Sequence, residues 1–225
     1  MTDTFAFMWA LALAFTVWGT VQPATAERTS VLAPTFTIAA DCLPEFDPSQ
    51  PCRFRAFDAQ FEIWASGLCK TVSRDDAPVE VRLPLAKNSR IDRVLYAEVE
   101  HDLLLIYEVS DGESGWGTIV RLATRSLTLK WRLNLPSFNI SLGAIENARL
   151  YQAGSGFVAA IDLRRGRFVW KHTGLYDQRK QSFNAFSRPE VIGSEVIFRE
   201  ESAKGGGEPP RVIRVAIGSG KMTLK

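Results

Sequence analysis

The sequence is poor in the residue types that build catalytic and metal centres. It has two histidines, His101 and His172, and three cysteines, Cys42, Cys52 and Cys69. No Cys-x-x-Cys or His pair accompanies the thiols, which argues against zinc. No orienting partner can be assigned to His101, beside Asp102 at a strand start, or to His172 after Trp170-Lys171, so both read as structural. Charge is nearly balanced, with 27 basic and 25 acidic residues, and gives no electrostatic footprint for nucleic acid. No stretch keeps a helical period, and Pro and Gly interrupt too often for long helices. Beyond the N-terminus no apolar run reaches membrane-spanning length.

At the N-terminus, Phe5–Val21 is apolar apart from two Thr, and Ala24-Thr25-Ala26 follows as a small-x-small site. This reads as a secretory leader over residues 1–26, cleaved after Ala26. The alternative is an uncleaved anchor, because Met1-Thr2-Asp3-Thr4 lacks Lys and Arg. The expected location is periplasmic or extracellular, with no stable membrane insertion after cleavage. No Cys follows the site, so no lipid anchor is expected. An oxidising compartment implies a disulfide. Cys42 and Cys52 bracket a proline-rich loop and are the expected pair, with Cys52–Cys69 as the rival. The remaining thiol should be buried and inert, since no basic cluster lowers its pKa.

Three stretches share one pattern: Ile119–Arg132, Val158–Lys171 and Val212–Lys225. Leu122, Ile161 and Val215 hold equivalent places, as do Trp131, Trp170 and Leu224. Each copy is an apolar strand, a short polar turn, and a strand closing on Trp or Leu. Spacing of this order indicates a repeat architecture. Strands such as Leu103–Ile106 and Phe157–Ile161 are apolar at consecutive positions, so both faces are covered, as when sheets stack. The expected fold is all-β, a small or partial propeller of three to four four-stranded antiparallel blades. Residues 91–225 carry the clear repeats. Residues 27–90 form a Cys-containing segment with one strand near Thr35–Ala39 and a degenerate first blade, with strands at Phe61–Trp64 and Val79–Leu85, or a cap.

The stretch Val158–Trp170 resembles the repeat of quinoprotein-like (pyrroloquinoline quinone) β-propellers, in which an apolar strand leads to Ala-Leu-Asp, a Thr-Gly-Lys-like turn and a terminal Trp. On this resemblance Asp162, Gly166, Gly220, Trp131 and Trp170 are structural repeat residues. Leu127 stands where the turn Gly is expected. The resemblance implies a fold, not an activity. The enzymes of that family use a vicinal Cys pair, calcium-binding Asn and Glu, and a catalytic Asp, none assignable here, so no catalytic residue, metal or cofactor is predicted. Non-catalytic relatives include an outer-membrane assembly scaffold.

The remaining polar motifs read as solvated. Asp75-Asp76 and Glu200-Glu201 are adjacent pairs whose side chains point to opposite faces. Gly205-Gly206-Gly207 lacks the Lys-Ser/Thr of a phosphate loop. Arg164-Arg165-Gly166-Arg167 is a basic turn. Asp162 reads as a turn-tying carboxylate. The preferred function is an exported non-enzymatic binding or scaffold protein that contacts another envelope protein. The alternative is an exported hydrolase or cofactor-binding oxidoreductase. An N-terminal cap over the open end, with a monomer, is preferred to a symmetric dimer.

Overall fold

Four antiparallel sheets follow one another along the chain, three of four strands and one of five. The computed structural model describes residues 37–38, 49–72, 77–175, 185–201 and 210–224. The leader, Cys42, Asp75-Asp76 and Gly205-Gly206-Gly207 lie outside them. Strand β1 is Thr37–Ile38. The first sheet holds β2 (Cys52–Ala56), β3 (Ala59–Ile63), β4 (Leu68–Val72) and β5 (Glu80–Arg82). The second holds β6 (Arg90–Val99), β7 (Asp102–Ser110), β8 (Gly115–Ala123) and β9 (Leu129–Asn134). The third holds β10 (Ala144–Glu146), β11 (Arg149–Gly154), β12 (Phe157–Asp162) and β13 (Arg167–His172). The fourth holds β14 (Glu190–Ile192), β15 (Glu195–Arg199), β16 (Val212–Ala216) and β17 (Met222–Leu224). The four consecutive strands of each sheet form an up-and-down meander, the plan of a propeller blade.

The sheets stack face to face, and strand alternation assigns each side chain to one interface. In β7, Leu103, Leu105 and Tyr107 pack with Phe61, Ile63 and Cys69 of the first sheet. Leu104 and Ile106 of the same strand pack with Leu150, Phe157 and Ile161 of the third. Tyr151, Val158 and Ala160 of the third sheet meet Val196, Phe198, Ile213 and Val215 of the fourth. Two covered faces explain the continuous apolar runs. Among the described residues three such interfaces join four sheets, and no buried cluster joins the fourth sheet to the first. The arrangement is a partial β-propeller.

Both end faces carry cross-strand ion pairs, with Val72 and Ile192 exposed beside them. On the outer face of the first sheet the register lines up Arg53, Glu62, Lys70 and Glu80 across four strands. Arg53 pairs Glu62 at 2.9 Å and Lys70 pairs Glu80 at 2.5 Å. On the outer face of the fourth sheet Arg199 pairs Glu190 and Arg214 pairs Glu195. Polar end faces are what terminal repeats require. The segment expected as a degenerate blade therefore contains a complete sheet. The described piece of the N-terminal segment, β1, covers no end face. It pairs with β6 at the inner edge of the second sheet.

Three turns repeat the same geometry. The amide of Leu127 donates to Ala123 O, that of Gly166 to Asp162 O, and that of Gly220 to Ala216 O. The donor residue has positive φ in each: +51°, +63° and +70°. Leu127 thus takes the strained conformation that glycine adopts freely, and its complete burial against the first interface offsets that cost.

Candidate functional site

The sheets are joined by a tryptophan that reaches forward to the next one. A bulge between β12 and β13 falls between Ala160 and Ile161. It sets Phe168 toward the second sheet and Trp170 toward the fourth, although residues two apart would otherwise share a face. A matching bulge between Arg121 and Leu122 precedes Trp131. Trp131 fills the space beside Gly166, where a Cβ would overlap its ring. Trp170 fills the space beside Gly220, whose Cβ would lie 2.9 Å from the Trp170 Cβ and Cγ. Trp131 Nε1 donates to Leu163 O at 3.0 Å. Trp170 Nε1 is buried without an acceptor. The pairing of β16 with β17 has no bulge among the described residues, and Leu224 stands there in place of a Trp, 55% exposed.

At the same end of the stack, the second and third sheets are tied by an ionic network. Arg121, 6% exposed, donates to Asp102 at 2.5 Å, to Glu100 at 2.7 Å and to Leu163 O at 2.9 Å. Lys130 also donates to Asp102. Burial by itself would raise the Asp102 carboxyl. Hydrogen bonds from Lys130 and Arg121, together with their charges, hold it below the ordinary carboxylate range instead.

At the opposite end, side chains clamp the connections between sheets. Tyr107 Oη donates to Pro84 O. Arg93 donates to Glu108 and to Ile140 O, and the Ile140 amide donates to Glu108. Gln152 Nε2 donates to Ser141 O at 2.7 Å. Arg211 donates to Leu175 O at 2.8 Å and pairs with Glu200, which is buried.

Two open clefts are lined by described residues, the first at the β7–β8 turn of the second sheet. One, of about 590 Å³, is lined by Asp92, Glu108, Glu113, Gly115 and the exposed ring of Phe138, among others. The second, of about 430 Å³, lies between the third and fourth sheets, beside the β10–β11 and β14–β15 turns. Its lining includes Arg149, Tyr151, Asn147, Ser194 and Gly218. Arg149 donates to Ile217 O at 3.2 Å. Burial raises the Tyr151 hydroxyl, while a hydrogen bond from Arg149 opposes that.

The residues singled out in the sequence fall mostly at these joints. Asp162 Oδ1 accepts the amides of Arg164 and Arg165, and these bonds overcome the effect of burial to lower its carboxyl. The Arg164-Arg165-Gly166-Arg167 turn is largely exposed. His172 Nε2 donates to Gly220 O at 2.8 Å. His101 is exposed, and its carbonyl accepts from Thr124. Cys69 is a free thiol in the first interface, and burial pushes it up to about 12. Glu200-Glu201 requires a correction. Glu201 is exposed, but Glu200 is not solvated. Its partner Arg211 lies beyond the glycine-rich stretch, out of view of local sequence. Arg121, Lys130 and Arg149 were likewise missed. The signal for Arg121 was a charge inside an otherwise apolar strand. Among the described residues no group of three His, Cys, Asp or Glu side chains is placed to hold a metal, and no helix is long and apolar enough to cross a membrane.

No protein-family model matches the chain, and no curated protein matches it. Solved propellers do resemble it. A quinohemoprotein alcohol dehydrogenase from Comamonas testosteroni is 15% identical, with 56% of this chain and 19% of that one covered and a TM-score of 0.44. Apo AztD from Citrobacter koseri is 16% identical over 76% and 45%, with a TM-score of 0.42. BamB from Moraxella catarrhalis is 13% identical over 72% and 59%, with a TM-score of 0.32. The chain spans less than two thirds of the length of each. These likenesses concern fold alone.

Proposed function

We propose that this chain is an exported, non-enzymatic β-propeller-like module that binds another protein of the cell envelope. The observation that carries the reading is strand addition at an inner sheet edge. Thr37–Ile38 pairs with Leu95 and Tyr96 of β6, while β2, β10 and β14 have no strand on their inner side among the described residues. Exposed strand edges are templates for an extended segment of another chain. Ile192, on β14, is the most exposed of the large apolar side chains among the described residues. The leader over residues 1–26 supports export. A Cys42–Cys52 bridge suits that compartment, and it is supported by the burial of Cys69 as a free thiol.

The test is site-specific photocrosslinking in the native host. A photoreactive residue at Ile192 should trap one envelope protein, and one at Arg132, on the outer strand β9, should not. Equal trapping at both positions, or at neither, removes the edge from the proposal. A bound chromophore in the spectrum of the purified native protein would favour a cofactor-binding oxidoreductase instead.

A further inference from the structure

We infer that the cleft between the third and fourth sheets, around Arg149, is a carboxylate-binding site. This does not depend on export or on a protein partner.

The joints are equivalent in their backbone. Leu163 N donates to Ala148 O and Ile217 N to Ser194 O, each reaching the first turn of its own sheet. Both carbonyls, Leu163 O and Ile217 O, receive a donor from the preceding sheet. At the joint between the second and third sheets that donor is Arg121, and the chain supplies carboxylates to it, Asp102 and Glu100. At the next joint the charge has moved one strand inward. Arg149 pairs with Asp162 in the ladder as Asp102 pairs with Ala123, so arginine stands where the carboxylate stood. Ala160, buried in the interface with the fourth sheet, takes the place of Arg121 and brings no charge to the joint.

The consequence is a guanidinium with no carboxylate at ion-pair distance among the described residues, although Glu146 and Asp162 stand opposite it on the neighbouring strands. Arg149 is partly buried, and among the described residues it makes no ion pair. Glu146 lines the same cleft and stands opposite Arg149 in the β10–β11 ladder, but it is exposed and makes no ion pair with it. A partly buried arginine gains most from a planar, two-oxygen acceptor. Asn147 and Ser194 supply further donors on the rim. The cleft, at about 430 Å³, admits a small dicarboxylate or one acidic side chain of a polypeptide.

The experiment is amide NMR of the full mature chain, titrated separately with succinate, with a terminally blocked Asp-containing hexapeptide, and with inorganic phosphate. The expected result is saturable shifts at Ser194 and Gly218 with succinate, the peptide or both, and at least tenfold weaker binding of phosphate. Which of the two saturates tells a free carboxylate from an acidic segment. Arg149→Gln should reduce binding at least tenfold. Because that change also removes the bond to Ile217 O, Gly218→Asp provides an independent test. A Cβ at Gly218 meets nothing within 4 Å, so the new carboxylate can occupy the cleft without disturbing the fold, and it should compete at least tenfold. No saturation by either carboxylate, phosphate binding as tight as succinate, or unchanged binding in folded Gly218→Asp overturns the inference.

Discussion

Trp131 of the second sheet occupies the space that a side chain at Gly166 of the third would need. Gly166 also has φ of +63°, so backbone and packing demand glycine together. Gly166→Ala should cost about 2–4 kcal/mol, from left-handed strain plus overpacking. Gly193 has similar φ, +59°, but its Cβ would meet nothing. Gly193→Ala should cost only about 1–2 kcal/mol. Urea denaturation of both isolates the docking component. Equal losses would show that the tryptophan contributes nothing beyond the turn.

The two tryptophans should respond differently to phenylalanine. Trp131→Phe removes the bond to Leu163 O and should cost about 1 kcal/mol more than Trp170→Phe, whose Nε1 has no acceptor. Alanine at either position should destabilise by about 3–5 kcal/mol. Thermal melts read both. A Trp170→Phe that is the more damaging of the two would contradict the assignment.

Acid should loosen the joint between the second and third sheets. The Asp102 carboxyl is depressed in the folded chain and returns to about 3.9 when unfolded. Its contribution is present above about pH 4 and is lost as pH falls through the lower folded value. Asp102→Asn should cost about 3 kcal/mol at pH 7, because Arg121 loses its buried partner. The gap from wild type should shrink below pH 4. Denaturation series at several pH values measure it, and a gap independent of pH would refute the linkage.

Cys69 should resist thiol reagents while the chain is folded, since burial holds its thiol near 12. Labelling at pH 8 should be complete only in denaturant. Non-reducing peptide maps should return Cys42 linked to Cys52, and finding Cys69 in the bridge would reverse the pairing.

The chain should be monomeric by light scattering, because cross-strand ion pairs run over each end face. Replacing Glu62 and Lys70 together by valine should induce association. A dimer of the unaltered chain would mean that these charges do not guard the face.

Sequence made the third and fourth sheets legible because their turns are chemically explicit. Gly166 and Gly220 mark the left-handed positions, and Asp162 caps its own turn. Leu127 shows the limit, since its place was assignable only by alignment with the other copies. Strand β10 was missed because three residues are too few for a period. The first sheet was only half seen. Its outer face alternates charge with charge, so β2 and β4 lacked the apolar run that betrayed β7 and β12. The joints themselves were invisible. Asp102 and Arg121 are 19 residues apart, Glu200 and Arg211 are 11, and nothing in a linear pattern pairs them.

The double-sided cores of the second and third sheets also order the way the molecule comes apart. Each end sheet leans on a single neighbour, whereas each middle sheet is held between two. Stability in such a stack is approximately a sum of intrinsic and nearest-neighbour terms. The outer sheets can therefore open while the middle pair stays closed, and amide exchange should be graded from the centre outward. Strands β7 and β12 would retain their protons longest, and β2 and β17 would surrender theirs first.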